Sequence, residues 1–218
     1  MNADILNAAT LYTTDRKRFM VEMGNTLHQD YLDMLFMNAT TRPDLAETVA
    51  LILGGYTPKT EKHGLDGLPS ETQPGYAEVK VYTTNTNKDK HAQFGALTIN
   101  DPSQNIVDKY NQTQAKFLFP TYIDGHLIAM FSVEWKHLKT IYDTEIARIH
   151  ARNQNKAAGS AAARNFSLTV SKWITHAKCE FVNPDTDMVR LKLTEVKASK
   201  VYKAAVNQAI VDTSSVMV

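Results

Sequence analysis

The sequence is poor in cysteine and in long apolar runs. Cys179 is the only cysteine among 218 residues, which excludes an internal disulfide and a zinc site built from several cysteines. The longest apolar runs, Val49–Leu53 and Leu127–Phe131, are far shorter than the ~18 residues that a membrane span needs. Residues 1–20 contain no apolar leader. We therefore expect a soluble protein of the reducing cytoplasm, without a membrane partner.

An excess of charge of one sign is also lacking. The chain has 24 Lys and Arg against 23 Asp and Glu, a formal net charge of +1, which excludes a polycation that binds nucleic acid by bulk charge. Its 43% hydrophobic and 22% charged residues match an ordinary globular protein and exclude a disordered chain. Because this length suits one folding unit, residues 1–218 are predicted to form a single domain.

Apolar periodicity and turn residues predict both helices and strands. Apolar residues at every fourth position indicate helices, whereas alternating apolar and polar residues indicate strands. The predicted helices are Phe19–Leu35, Leu45–Leu53, one that starts at Asp101-Pro102, Trp135–Arg152 and Ala198–Ile210. The predicted strands are Ala77–Thr83, a hairpin of Phe117–Ile123 and His126–Trp135 around Asp124-Gly125, and Phe166–Trp173. Two further strands are predicted around Asn183-Pro184-Asp185, the second at Met188–Val196, and a loop is predicted at Asn153–Ala163. This order predicts an α/β fold: a mixed central sheet flanked by helices, with a C-terminal α+β extension.

Acid-x-Lys triplets are of chemical interest, because phosphodiester hydrolysis can use a metal-binding carboxylate beside a lysine. Chance alone predicts about two in this composition, and the sequence has four. They are Asp15-Arg16-Lys17, Glu78-Val79-Lys80, Glu134-Trp135-Lys136 and Glu195-Val196-Lys197. The chemistry also needs a second carboxylate within reach of the same Mg²⁺ ion, so only geometry can select among the four.

Three of the triplets have no second carboxylate in a suitable place. The one acidic residue before Asp15 is separated from it by a predicted helix. Asp124 and Glu134 stand at opposite ends of one predicted strand, about 30 Å apart at ~3.3 Å per residue. Asp185 and Glu195 are held apart in the same way by the predicted strand between them. These three triplets are therefore set aside.

Asp66 and Glu78 have a different relation, because Pro69, Pro74 and Gly75 between them allow the chain to reverse. A strand that ends near Asp66 can then lie beside the strand that starts at Ala77. Side chains two residues apart on a strand point to the same side. The sequence therefore predicts one face that presents Asp66, Glu78 and Lys80, while Val79 points into the core.

These residues resemble the PD-(D/E)xK nuclease superfamily, which includes the type II restriction endonucleases. The resemblance rests on His63-Gly64-Leu65-Asp66-Gly67-Leu68 followed by Tyr76-Ala77-Glu78-Val79-Lys80, with a helix before and a helix and strands after. It covers roughly residues 44–135, and Leu65 stands where the motif has proline. It implies a restriction-endonuclease-like core over about residues 40–135.

The resemblance also implies a role for each site residue. Asp66 and Glu78 would bind Mg²⁺, or Mn²⁺ as a substitute, with help from the Val79 carbonyl oxygen. Lys80 would orient or activate the attacking water and stabilise charge in the transition state. Glu47, in the helix before the first strand, matches a further glutamate that many members use at the metal. The implied activity is a DNA endonuclease that acts as a homodimer if it cuts both strands.

Each of these residues also has a purely structural interpretation. Glu47 stands three residues after Asp44, which is the spacing of a capping box. Asp66 precedes a glycine and suits a turn, while Glu78 and Lys80 suit an ion pair on an exposed edge strand. The alternative function is therefore a DNA-binding or assembly protein on a nuclease-like fold, which binds DNA without cutting it.

Basic residues are concentrated in residues 136–178, which hold eight basic and two acidic side chains. Arg148, Arg152 and Lys156 are spaced by four and would form one stripe if the helix continues that far. We predict that they and Arg164 contact the phosphates of double-stranded DNA, the alternative being a solvated helix face. RNA is disfavoured because platforms of aromatic residues for stacking single-stranded bases are not evident.

Overall fold

A computed structural model of the chain describes residues 45–59, 65–84, 96–100, 103–124, 126–155, 162–196 and 198–216. The helices are α1 (Leu45–Leu53), α2 (Gln104–Thr113), α3 (Trp135–Gln154), α4 (Val170–Trp173), α5 (Thr186–Glu195) and α6 (Lys200–Val216), with a 3₁₀ turn at Ile174–His176. The strands are β1 (Thr57–Pro58), β2 (Gly67–Leu68), β3 (Ala77–Val79), β4 (Tyr82–Thr84), β5 (Ala96–Asn100), β6 (Lys116–Ile123), β7 (His126–Glu134), β8 (Asn165–Thr169) and β9 (Lys178–Val182). The predicted helix Phe19–Leu35 lies outside the described residues.

Seven strands form one open, mixed sheet. Six follow the order β1-β2-β3-β6-β7-β9, and β4 also pairs with β6. β3 and β4 run parallel to β6, and the other neighbours are antiparallel. The predicted hairpin lies at the centre, where Ile123 of β6 pairs with His126 of β7. At its turn Asp124 has a φ of 48°, a left-handed conformation that Asp tolerates. The predicted mixed sheet and its hairpin are confirmed.

Helices cover both faces of this sheet. On one face Ala50 and Leu51 of α1 pack with Val79, Leu118 and Met130 of the strands. On the other face a larger core gathers aromatic side chains from three helices and from strand β6: Tyr110, Phe117, Phe119, Trp135, Tyr142 and Tyr202. Because both faces are covered, β6 is buried from Phe117 to Ile123 and its sequence is apolar almost throughout.

The predicted strand Ala77–Thr83 is interrupted, and β3 and β4 are its two halves. The Lys80 N–H donates to the Leu118 carbonyl oxygen at 2.9 Å, at the end of β3. The next rung of a parallel ladder would need an N–H from Pro120, and proline has none. Pairing with β6 resumes at Thr121. Lys80 therefore stands at a break in the sheet.

The prediction of a strand at Met188–Val196 was wrong, because this segment belongs to helix α5. Val189 and Leu193 are buried, one helical turn apart, whereas Leu191 is 56% exposed. Leu191 gave the sequence a false alternation with a period of two. Asp185 caps the helix by accepting a backbone hydrogen bond from the first turn at 3.0 Å.

The C-terminal segment is not an appended extension. β9 is an edge strand of the main sheet and pairs with β7, and Tyr202 and Val206 of α6 belong to the main core. The strand predicted at Phe166–Trp173 ends at Thr169, where α4 begins, and it pairs with β5 in a separate two-stranded sheet. The predicted extension is thus part of the fold.

The predicted helices that fall on described residues are confirmed, with differences at some ends: the helix predicted at Ala198–Ile210, for example, is α6, Lys200–Val216. α1 has the predicted bounds, and α3 extends two residues beyond the predicted end at Arg152. α2 begins at Gln104 rather than at Asp101-Pro102, because Ser103 is its N-cap and its hydroxyl accepts a hydrogen bond from the backbone of Ile106. Short polar residues beside one another compete for this role, so the first helical residue is difficult to predict.

Gly67 in β2 is a position where the packing excludes a side chain. A Cβ atom there would lie 2.5 Å from Leu51 Cδ2 and 3.0 Å from Ala77 Cβ. We expect Gly67→Ala to lower the free energy of unfolding in urea by about 1–3 kcal/mol through overpacking. Gly75→Ala is the matched control, since a Cβ atom there meets nothing within 4 Å. Equal stability of the two variants would contradict this packing.

Candidate functional site

The first acidic residue of the site, Asp66, lies in the bend directly before β2. The sequence predicted a strand that ends here, but the strand begins after it, at Gly67. Gly67 pairs with Ala77 across the antiparallel β2–β3 ladder. Asp66 Oδ2 accepts a hydrogen bond from the Val79 N–H at 2.7 Å. This bond fixes the carboxylate to the strand that carries Glu78.

Glu78 and Lys80 point to the same side of β3, as a period of two requires. Lys80 Nζ donates to Glu78 Oε1 at 2.5 Å. Val79 points to the opposite face and packs against α1. Glu78 is only 7% exposed, whereas the Lys80 side chain is 27% exposed. The pair therefore extends from the protein interior to the solvent-accessible surface.

Two buried tyrosines complete the inner wall of the site. Glu78 lies opposite Phe117 in the parallel β3–β6 register, and the ring of Tyr110 from α2 packs on Phe117 at 4.9 Å between centroids. The ring of Tyr110 therefore lies beside Glu78, and the charge of Glu78 reaches its hydroxyl. Tyr142 of α3 lies next to Tyr110, 6.0 Å between centroids, and the charge of Glu78 also reaches it.

Burial and the nearby charge of Glu78 make Asp66 a weaker acid than a free aspartate. Desolvation and then the Glu78 carboxylate raise the pKa of Asp66 from 3.8 to about 6, although the Val79 N–H, Lys80 and Lys109 act in the other direction. Burial raises the pKa values of Tyr110 and Tyr142, and Glu78 raises them further. The site is thus a concentration of negative charge in a partly desolvated place, which is typical of functional sites.

Lys80 remains a cation in this environment. Burial on its own would lower the pKa of Lys80, but the carboxylates of Glu78, Asp66 and Glu47 raise it above its ordinary value. Glu47 lies in the first turn of α1 and is half-buried. The structure thus brings Glu47 within electrostatic reach of Lys80. The Asp44 cap predicted for this helix lies outside the described residues.

The oxygen atoms at this site fit a hard divalent cation. Mg²⁺ is bound by one or two carboxylates and keeps several waters, and Asp66 and Glu78 offer two. A strand residue directs its N–H and C=O to the same side, so the Val79 carbonyl faces the edge where its N–H meets Asp66. Among the described residues, no three His, Cys, Asp or Glu side chains form a group that could hold a metal ion. The metal prediction therefore rests on Asp66 and Glu78, and Glu47 as a ligand stays a prediction.

The other acid-x-Lys triplets have local partners. Asp124 accepts from Lys192 at 2.7 Å, far from Glu134 at the opposite end of β7. Glu134 pairs with Lys136. Asp185 and Glu195 stand at the two ends of α5, so a helix rather than a strand keeps them apart. Asp15 and Lys197 lie outside the described residues.

Much of the basic segment is neutralised locally. Five of its basic side chains form ion pairs with nearby acids: Lys136, Lys139, Arg148, Lys172 and Lys178. Arg148 lies 2.7 Å from the buried carboxylate of Glu145. Arg152 and Arg164 are exposed and make no ion pair among the described residues. Lys156 lies outside the described part of the chain, beyond the end of α3, so the predicted three-residue stripe is not described.

Sequence reasoning missed Lys109, Tyr110 and Tyr142. Lys109 and Tyr110 lie on α2, about thirty positions after Glu78 in the chain, and nothing in their local pattern distinguishes them from a solvated lysine and a core tyrosine. The fold could have given a signal, because α2 connects β3 and β6, which are parallel neighbours. A helix that connects two such strands packs back onto the sheet that contains them.

No protein-family model matches the sequence, and no curated protein matches it significantly. No described helix combines the length and apolar character needed to cross a membrane.

Proposed function

We propose that this protein is a Mg²⁺-dependent DNA endonuclease with a site of the PD-(D/E)xK type. The observation that carries the proposal is the meeting of two carboxylates and one lysine, Asp66, Glu78 and Lys80, at a break between β3 and β4. The mixed sheet with helices on both faces is compatible with a restriction-endonuclease-like core. Cutting both strands of a duplex would require a homodimer that supplies one such site per strand.

Lys80 would act as a fixed positive charge. Because the surrounding carboxylates raise its pKa in the metal-free site, its amine is protonated there at neutral pH and has no free pair to accept a proton from water. It can instead donate hydrogen bonds to a water and to a phosphate oxygen, and so stabilise charge that develops in the transition state. This favours orientation and charge stabilisation over general-base catalysis by Lys80.

Asp66 and Glu78 would hold the metal ion, with the Val79 carbonyl at the same edge. When bound there, Mg²⁺ would supply the Lewis acidity that lowers the pKa of an attacking water and neutralises charge on the phosphate. The Val79 N–H fixes Asp66, and Lys80 fixes Glu78. Pre-organised ligands of this kind lower the cost of arranging the reacting groups.

Lysines beside the carboxylates would contact the phosphates of a polyanionic substrate. Lys109 lies close enough to Asp66 to lower its pKa and would add a second cation beside Lys80. Arg152 and Arg164 would supply contacts to phosphates away from the reacting one.

Incubation of the purified protein with supercoiled plasmid and Mg²⁺ tests the proposal. We expect nicked and linear products that are absent in EDTA, and sequencing of the cut ends would then reveal sequence preference and overhang. Salt-dependent DNA binding without cleavage by any divalent metal would instead support the non-catalytic alternative.

The two arginines without ion pairs should contribute to duplex binding. We expect the double variant Arg152→Ala, Arg164→Ala to bind duplex DNA about tenfold more weakly, and to reduce the slope of log K against log salt by about two. Binding would be measured by fluorescence anisotropy over a range of salt. The double variant Lys136→Ala, Lys139→Ala is the control, because both lysines already pair with acids. An unchanged salt slope in the arginine variant would contradict the assignment.

A further inference from the structure

The last turn of α3 and the segment that leads into β8 are joined by two hydrogen bonds from one side chain. The amide nitrogen of Asn153 donates to the Ala163 carbonyl oxygen at 2.9 Å, and its Oδ1 atom accepts from the Ala163 N–H at 2.7 Å. One side chain thus satisfies both backbone groups of one residue, as a paired strand would do. These two bonds fix the backbone at Ala163 to the end of the helix.

The backbone on the other side of Arg164 is fixed as well. Asn165, the next residue, is the first of β8 and pairs with Asn100 of β5, and Phe166 after it is buried in the main core. Arg164 therefore lies between two anchored residues. Its own side chain is exposed and makes no ion pair with a described residue. A cation on a fixed backbone loses little further chain freedom when it binds an anion.

Arg152 lies directly before Asn153 on the helix, just as Arg164 lies directly after Ala163. Because consecutive Cα atoms are about 3.8 Å apart, the Cα atoms of the two arginines lie within about 15 Å of each other. Arg152 is likewise exposed and without an ion pair among the described residues. A DNA strand carries one phosphate for about every 3.4 Å of helix axis, so both side chains can contact phosphates of one short stretch of duplex.

We propose that Asn153 is a positioning residue, which holds Arg164 beside Arg152 so that both arginines contact one stretch of duplex DNA. The nature of this ligand rests on the proposed function, which takes double-stranded DNA as the substrate. Asn153 is uncharged and its amide is used by Ala163. It therefore contributes to binding through Arg164 rather than through a phosphate contact of its own.

Asn153→Ala tests the inference, because it removes both hydrogen bonds and no charge. We expect it to bind duplex DNA about threefold more weakly by fluorescence anisotropy, and to reduce the slope of log K against log salt by about one, as if one phosphate contact were lost. A purely structural role of an uncharged side chain would leave this slope unchanged. Asn155→Ala is the matched control, since Asn155 donates to Ala151 of the same helix at 3.0 Å, and both quantities should stay native.

A double-mutant cycle between Asn153 and Arg164 separates a positioning role from an independent one. If Asn153 acts through Arg164, the double variant Asn153→Ala, Arg164→Ala should bind about threefold more weakly than the native protein, like either single variant. Independent effects would multiply to about ninefold. A ninefold loss, or a native salt slope in Asn153→Ala, would overturn the inference.

Hydrogen exchange checks the anchoring itself without DNA. The Ala163 amide should exchange at least about tenfold faster in Asn153→Ala, because it loses its acceptor, and at the native rate in Asn155→Ala. Unchanged exchange in Asn153→Ala would overturn the inference. Thermal unfolding of each variant shows that weaker binding does not come from a lost fold.

These outcomes are distinguishable from those of the proposed function. Duplex binding that follows the predicted cycle without cleavage in any divalent metal would support the positioning of Arg164 and refute the nuclease. Metal-dependent cleavage with a ninefold loss in the cycle would refute the positioning and leave the nuclease in place. Absence of duplex binding by the native protein would overturn both.

Discussion

Replacing Lys80 with alanine should reduce Mg²⁺-dependent plasmid cleavage by at least about 100-fold, the usual cost of removing one donor that stabilises transition-state charge. Among the described residues, Lys80 is the only lysine that donates a hydrogen bond to Glu78, and its side chain is 27% exposed. Its loss removes the cation that balances Asp66, Glu78 and Glu47. The rate would be measured as loss of supercoiled plasmid at saturating Mg²⁺.

Lys116→Ala is a closely matched control for this variant. Lys116 stands on the neighbouring strand β6, its side chain is 28% exposed against 27% for Lys80, and it too faces a glutamate, Glu180, at 3.8 Å. It lies at the opposite face from Glu78, since Phe117 shares the Glu78 face. Lys116→Ala should therefore cut at a rate within about twofold of the native protein. Full activity in Lys80→Ala would show that Lys80 has no part in cleavage.

Replacing Asp66 with asparagine should abolish cleavage and at the same time stabilise the protein near pH 8. The folded protein raises the pKa of this carboxyl to about 6, so ionising Asp66 costs more in the folded than in the unfolded chain. At about 1.4 kcal/mol per pKa unit, the cost is on the order of 2–3 kcal/mol above that pH. Asparagine removes the charge and keeps an oxygen to accept the Val79 N–H.

The pH dependence follows from the same shift. Between the ordinary pKa of 3.8 and about 6, the folded protein holds the Asp66 proton more tightly than the unfolded chain does. The contribution of Asp66 to the free energy of unfolding therefore falls as the pH rises through this window. The stabilisation of Asp66→Asn over the native protein should be small near pH 4 and reach its full size above about pH 7. Unfolding in urea at several pH values measures it.

Glu145→Gln gives the opposite expectation and serves as the control. Glu145 is as buried as Glu78, but it pairs with Lys172 and Arg148, each at 2.7 Å, so its removal leaves cations without their partner and should destabilise the fold.

Saturating Mg²⁺ should raise the unfolding temperature of the native protein near pH 8 and leave that of Asp66→Asn unchanged. A destabilised Asp66→Asn would mean that Asp66 is a structural residue rather than a strained site residue.

The central part of the fold could be predicted from the sequence because its signals are local. Leu45–Leu53 has an apolar period and a Gly-Gly stop, and Asp124-Gly125 between two apolar strands defines the hairpin. The convergence of Asp66 and Glu78 followed from the turn residues between them and from the period of two. These inferences need no knowledge of residues far away in the chain.

The remaining features depend on contacts that are distant in sequence. The break after Lys80 is caused by Pro120, forty residues later, and no local pattern at Val81 shows it. Leu191 gave α5 the alternation of a strand, and only burial of Val189 and Leu193 on one face distinguishes the two. The packing of Tyr110 on Phe117 likewise depends on how α2 lies over β6.

Plasmid cleavage by the native protein, Asp66→Asn and Lys80→Ala, assayed side by side with Mg²⁺ and with EDTA, tests the central claim most directly. We predict that the native protein cuts in Mg²⁺ and not in EDTA, and that both variants lose at least about 99% of this rate while they remain folded. Metal-dependent cutting that persists in both variants would contradict the assignment of Asp66 and Lys80 to the active site. Absence of cutting by the native protein in any divalent metal would contradict the proposed nuclease activity.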